Sequence, residues 1–188
     1  MSIKRSFDIF LSVILLIVLI IPSLLIALAI RLTSKGPIFY MSERVGRGNS
    51  IFKMYKFRTM LTDTPAVATH LLAKPEDHLT PIGALLRKTS LDELPQLLNI
   101  INGDMSFVGP RPALFNQDDL IRLRTDKEIH KLVPGLTGWA QINGRDELPI
   151  PIKVQYDEYY KTNKSFLFDL KILSGTILKV LRKEGVTH

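Results

Sequence analysis

Asp92 and Glu93 stand side by side within Leu85 to Pro112, a stretch that reads LLRKTSLDELPQLLNIINGDMSFVGPRP. Arg87 and Lys88 precede them, and Arg111 and Arg145 follow. Phosphoryl transfer needs such parts: cations neutralise phosphate oxygens while a carboxylate holds a divalent ion or attacks phosphorus. A carboxylate is an adequate nucleophile when its approach is in line, and a covalent intermediate divides one difficult transfer into two easier ones. Hard Mg²⁺ suits an all-oxygen site. The same two acids have a structural reading as dipole partners at a helix start, and spacing alone leaves both open.

A second block, Lys131 to Arg145, sets Gly135, Gly138 and Gly144 around Trp139, Gln141 and Asn143. Its glycines suit a close backbone approach to a ligand. Trp139 can pack on a ring or anchor an interface, and Gln141 can hydrogen-bond a base or sugar; a buried Trp among ordinary glycine turns is the competing account. His70, His78, His130 and His188 show no metal-ligand spacing.

The acids need an element to hold them. Ser90 and Glu93 have the spacing of a capping box, while Asp92 can itself cap a helix with Pro95 at its third position, where a missing N–H is tolerated. The second register is preferred. It predicts a helix with Leu94, Leu97, Leu98 and Ile101 on its apolar face, ended by Asn102-Gly103. Pro37 to Arg44 and Ile51 to Arg58 read as a hairpin around Gly46-Arg47-Gly48-Asn49. Its Lys53, Lys56 and Arg58 are candidates to meet phosphates, or simply wet lysines and arginine on a half-buried hairpin. Met60 to Asp77, with Pro65 and Pro75, reads as loop or interrupted helix. Ile152 to Val180 carries aromatics, aliphatics and lysines that suit either an amphipathic layer on lipid or ordinary core.

At the other end of the chain, Ile9 to Ile30 is a run of 22 uncharged residues behind Lys4 and Arg5 and ahead of Arg31 and Lys35. A straight helix of that length reaches roughly 33 Å, enough to span a hydrocarbon core of about 30 Å. Basic residues at both ends favour instead a segment whose two ends share the cytoplasmic side. Pro22 supplies a break, with Ser23 or a nearby hydroxyl available to the freed carbonyl, and each limb is then too short to cross. The broken, re-entrant helix is the preferred expectation. The run is too long for a typical cleaved signal segment.

Beyond the run about 158 residues remain, enough for one modest domain. The expected organisation is an anchor over 1–35 and a catalytic body with interfacial helices over 36–188. The absence of cysteine excludes disulfides, a thiol nucleophile and a cysteine zinc site. A net charge of +7, from 25 Lys and Arg against 18 Asp and Glu, predicts attraction to anionic headgroups or phosphate-bearing substrates. No nucleic-acid motif accompanies that charge, so nucleic acid is not an expected partner. A non-catalytic membrane adaptor that binds anionic lipid or a partner protein is the alternative class.

Taken together, the chain resembles the monotopic phosphoglycosyl transferases, bacterial sugar transferases that load a first sugar phosphate onto a polyprenyl carrier. The motifs that carry the resemblance occur in the family's order: Lys4-Arg5 with Asp8, the proline-broken apolar segment, Tyr55 to Met60, Arg87 to Gln96, Gly103 to Pro112, and Pro134 to Gln141. The resemblance implies a compact α/β body with a cytoplasm-facing re-entrant helix, a short β-hairpin and amphipathic interfacial helices, held on the bacterial inner membrane. It implies that Asp92 attacks the β-phosphorus of a UDP-sugar, that Glu93 organises Mg²⁺ or manages a proton, and that polyprenyl (undecaprenyl) phosphate accepts the sugar phosphate. Arg111 resembles the family's phosphate contact, with Arg145 as a second. An N-acetylated UDP-sugar is the weakly favoured donor on family grounds. The family's break often places serine before proline, whereas this chain reads Pro22-Ser23, so its local hydroxyl partnership differs. The absence of an added N-terminal domain implies a minimal catalytic form.

Overall fold

The computed structural model describes residues 3–65, 74–144 and 148–182, with side chains through 180. Two apolar helices open the chain, α1 (Ile3–Val18) and α2 (Ile20–Thr33), bent by 62° at Leu19. The bend lies three residues before Pro22. That offset is what proline chemistry requires, because its ring clashes with, and its nitrogen cannot donate to, the carbonyl four residues back, here that of Val18. The ladder resumes at once: Ser23 N donates to Leu19 O at 2.9 Å. No described helix alone is long and apolar enough to cross a membrane, although the bent pair passes that test as a unit.

The pair is amphipathic in an unusual sense. Asp8 and Ser12 of α1 are buried, and Leu11, Leu15 and Leu16 pack on the main core, while Ile17, Val18, Ile21, Leu24 and Leu25 are each more than 60% exposed. Soluble surfaces rarely leave such a patch to water. At the far end of α2, Ile30 is buried with Phe57 and Leu86.

The expected hairpin is present as β1 (Phe39–Val45) and β2 (Ile51–Phe57), antiparallel with Phe39 opposite Phe57 and Val45 opposite Ile51. Its turn is a 3₁₀ segment, Arg47–Asn49, with Gly48 at φ 67°. Next come α3 (Gly83–Thr89), a 3₁₀ turn over Leu91–Glu93, and α4 (Gln96–Asn102), which ends on Gly103 at φ 95°, the left-handed stop expected at Asn102-Gly103. A strand not foreseen, β3 (Ser106–Val108), pairs in parallel with β4 (Gly135–Thr137). The crossover between them carries α5 (Asp118–Asp126), as a parallel pair demands. The chain closes with α6 (Trp139–Asn143), α7 (Ile150–Asn163) and α8 (Phe166–Arg182). The body is thus mixed, with helices dominating two small sheets.

Leu97, Ile100, Met105, Phe107, Val108, Tyr160 and Ile172 form the main core. Each large apolar side chain buried there contributes about 1.5–3 kcal/mol. The C-terminal helices divide between the two readings of their sequence: Tyr160 and Ile172 are core, while Tyr159, Leu167, Ile177 and Leu178 are exposed.

Candidate active site

Asp92 does not cap a helix. It lies inside the 3₁₀ turn Leu91–Glu93, and α4 begins after Pro95. The reason is local. A capping Asp92 would have to reach the N–H of its second or third successor, and the third, Pro95, has none. Ser90, at φ 56°, turns the chain into the left-handed region, so the capping box with Glu93 does not form either. Glu93 N instead donates to Ser90 O at 3.2 Å. The acid side chains are released from local capping and turn to a neighbouring strand.

There they meet Lys56 of β2. Its Nζ lies 2.7 Å from Glu93 Oε1 and 3.5 Å from Asp92 Oδ2, and Arg111 Nη2 donates to the same Glu93 oxygen at 3.1 Å. Asp92 is buried and Arg111 half-buried. The adjacent carboxyls respond in opposite directions. Burial pushes the Asp92 carboxyl above the ordinary aspartate range; Lys56, Arg87 and Arg111 oppose that rise and the charge of Glu93 adds to it. Burial acts on Glu93 in the same sense, but Lys56 and Arg111, by charge and by hydrogen bond, outweigh it and hold that carboxyl well below the usual glutamate range. Neighbouring acids driven apart in this way can take different roles.

Arg87, in the last turn of α3, is half-buried and adds its charge at Asp92, whereas Lys88 beside it is exposed. Trp139 packs against rings of the protein itself. It stacks on Tyr159 at 5.8 Å between centroids and packs on Phe168 at 5.0 Å, with Lys171 over its ring. Gln141 is buried, and among the described residues neither polar atom of its amide has a hydrogen-bond partner. Buried amides are normally satisfied, which leaves this one open to a further polar partner. Arg145 lies outside the described residues, as do His70 and His188.

Two further sequence expectations are corrected. The glycines of the second block approach the chain's own backbone: a Cβ on Gly135 would lie 2.1 Å from Gly109 N, one on Gly138 2.1 Å from Gly109 O, and one on Gly144 2.6 Å from the Leu148 side chain. They allow β4 and the start of α6 to close on the loop ahead of Arg111. Arg58 is the second correction. It is 3% exposed and spends its guanidinium on Pro37 O at 2.6 Å and on the Ser34 carbonyl and hydroxyl at 3.2 and 2.8 Å, so it ties α2 to the hairpin.

The tertiary arrangement also adds residues. Lys56 was one of three basic residues in an alternating strand, and nothing local set it apart. Asn99, a polar residue amid the apolar face of α4, is fully buried; its Nδ2 donates to Lys53 O at 2.7 Å and its Oδ1 accepts from Tyr55 N at 3.0 Å. It fixes β2, and so Lys56, against the helix that follows the acids. Arg5 of α1 caps the opposite end of α4, with Nη2 donating to Ile101 O at 2.7 Å.

Among the described residues no group of three or more His, Cys, Asp or Glu side chains gathers to hold a metal. A pair of carboxylates is nonetheless what Mg²⁺ uses when substrate phosphates complete its octahedron, and Asp92 and Glu93 fit that donor set.

The sequence pattern of the bacterial sugar transferases matches residues 1–183. An uncharacterized sugar transferase, EpsL, of Bacillus subtilis (strain 168) is 43% identical over 99% of this chain and 91% of its own length. The undecaprenyl-phosphate galactose phosphotransferase of Salmonella typhimurium is 39% identical over 97% of this chain but 41% of its own length. The UDP-N-acetylgalactosamine-undecaprenyl-phosphate N-acetylgalactosaminephosphotransferase of Aeromonas hydrophila is 36% identical over 97% of this chain and 44% of its own length. The chain therefore spans nearly all of the first relative and about two fifths of the other two.

Proposed function

The chain belongs to the bacterial sugar transferase family, and from that premise we propose that it moves a sugar-1-phosphate from a UDP-sugar to polyprenyl phosphate. The observation that carries this reading is the acidic pair on its 3₁₀ turn, with Lys56 serving both carboxylates and Arg111 on Glu93. Relatives whose names specify undecaprenyl-phosphate sugar transfer support the reaction class.

In this reading an Asp92 oxygen attacks the β-phosphorus of the donor. The bond from that phosphorus to the oxygen bridging the α-phosphate breaks, UMP departs, and the phosphosugar stays on Asp92 as an acyl phosphate. A phosphate oxygen of the polyprenyl acceptor then attacks the same phosphorus, the carboxylate leaves, and polyprenyl-diphospho-sugar is released. Lys56 holds Asp92 towards its ionised, nucleophilic form against burial. Arg111 and Arg87 bind phosphate oxygens with planar donor forks aimed at charge that grows in the transition state. Glu93, the more firmly ionised acid, orients Lys56 and Arg111. Asp92 and Glu93 would hold Mg²⁺, whose chemistry there is neutralisation of the diphosphate charge. Gln141 offers its buried amide to the uracil or sugar, Lys88 and Arg145 add positive potential for the incoming anion, and Trp139 shapes the surrounding wall.

The acceptor is a lipid, and the bent pair α1–α2 suits a leaflet. Its exposed apolar residues cluster about the 62° bend, while basic residues mark both ends. We place the bend in the inner-membrane core and the body on the cytoplasmic face, a re-entrant and monotopic arrangement with Pro22 and Ser23 in the hinge.

The test is UMP release from UDP-glucose, UDP-galactose and their N-acetylated forms by purified protein with Mg²⁺ and undecaprenyl phosphate. Release from one donor, lost in Asp92→Asn, supports the reading. Undiminished turnover by Asp92→Asn overturns the covalent route.

A further inference from the structure

The segment carrying Arg111 is held by its carbonyl oxygens. Pro110 and Pro112 have no N–H to give, which leaves the main chain few other handles. At its ends, Pro110 O accepts from Gly135 N at 2.9 Å and Ala113 O from Val45 N at 3.0 Å. Between them the donors are side chains: Arg44 Nη1 reaches Pro112 O at 3.3 Å, and Arg124 Nη1 reaches Arg111 O at 2.7 Å.

Arg124 comes from α5 and is buried, and its remaining donors have a single destination. Nε and Nη2 lie 3.0 and 2.6 Å from Asp157 Oδ2, on α7, a residue only 2% exposed. Taking such a pair out of water costs free energy, and well-packed apolar residues can often join two helices at least as stably. Apolar residues could not, however, hydrogen-bond the carbonyl of Arg111. The planar five-donor fork of arginine does both at once, from donors held in one fixed plane.

We infer that Arg124, oriented by Asp157, is a positioning residue for phosphoryl transfer: it fixes the main chain of Arg111 so that the Arg111 guanidinium meets the diphosphate of the donor. The ligand class it serves is a nucleoside diphosphate, and the inference rests on the reading of Arg111 as a phosphate contact. Without Arg124 the Arg111 side chain retains its charge but loses its origin, and small displacements of a positioning group are costly in transfer chemistry.

A double-mutant cycle separates this role from simple support of the fold. UDP binding with Mg²⁺ present is measured by calorimetry on the full chain in detergent. The four proteins are the wild type, Arg111→Ala, the paired replacement Arg124→Met with Asp157→Leu, and all three changes together. The paired replacement leaves no uncompensated buried charge. It is expected to weaken UDP binding about 10-fold in the wild-type background and by less than about 2-fold once Arg111 is gone. Equal weakening in both backgrounds would overturn the inference, because Arg124 would then act independently of Arg111. If thermal unfolding shows that the paired protein does not fold, Arg124→Lys replaces it in the same cycle, with the same non-additivity expected. Tight UDP binding by Arg111→Ala, or none by the wild type, would sink the phosphate reading itself. Weak binding by Arg111→Ala with an additive cycle would remove only the role of Arg124.

Discussion

Arg111 takes part in two ionic clusters that follow different rules. Through its main chain it meets Arg124–Asp157, where a buried arginine places three donors on a carboxylate and a carbonyl. Through its side chain it meets Glu93, where Lys56 is shared between two carboxylates and the Arg111 guanidinium stays half-buried. The Lys4–Asp169–Tyr160 group obeys the first rule: Lys4 Nζ lies 2.6 Å from Asp169 Oδ2, 3.0 Å from Tyr160 Oη and 2.8 Å from Val108 O. Charges matched in this way hold elements together. A cation divided between unequal acids, beside a half-buried arginine, can exchange partners when a phosphate arrives.

That contrast breaks most visibly at Asp92. Asp92→Asn keeps the shape of the side chain and removes the nucleophile, so UMP release is expected to fall on the order of 10³-fold or more, with no phosphosugar retained on the protein. Intact-mass spectrometry of protein mixed with donor alone checks the second point. Arg111→Ala is expected to cost about 10²-fold in kcat/KM for the donor, read from initial rates, as removal of one preorganised donor to a growing negative charge does.

Lys56→Met sharpens the comparison through pH. Transfer requires ionised Asp92, so the rate falls as pH drops through its pKa. Burial already holds that value above the ordinary 3.8, and Lys56 is the chief influence lowering it. Removing Lys56 moves the acid limb of the pH–rate profile to higher pH and lowers the rate at pH 7 by about 10-fold. Stability responds to the same substitution through Glu93. Glu93 is held below its ordinary 4.5, so its ion pairs add stability above that pH and lose it as pH falls. Thermal unfolding of Lys56→Met should therefore lose less stability on acidification than the wild type does.

The smallest effect on chemistry is expected at the bend. Because the chain has no cysteine, single cysteines at Ser6 and Lys35 can be labelled from one side of a vesicle. Both should react from the same, cytoplasmic side. Pro22→Ala restores an N–H for the Val18 carbonyl and should place the two labels on opposite sides in part of the population, with activity per correctly inserted molecule changed by no more than about 3-fold.

Much of this is legible in the sequence. The hairpin followed from two β-rich runs around Gly46 to Asn49, the end of α4 from Asn102-Gly103, and the acid pair from its basic surroundings. The turn at Asp92 departs from the expected cap because the N–H that Pro95 lacks is also one of the bonds a capping Asp92 would have needed. Lys56 and Arg58 are indistinguishable in sequence, two positions apart in the same alternation, yet one serves the acids and the other ties α2 to the hairpin. Nothing local to Arg124 or Asp157 marks either residue, since 32 residues lie between them, including a 3₁₀ turn at Ile129–Lys131, β4 and α6.

The amino-acid sequence by itself determined the parts whose causes are local: an apolar run broken by proline, the β1–β2 hairpin, the helix stop at Gly103 and the chemical inventory of Asp92, Glu93 and Arg111. Tertiary structure alone decided which cation meets which anion. Ion pairing depends on distances of a few ångströms between residues far apart in the chain, and only the packing of β2 against the acid turn and of α5 against α7 sets those distances.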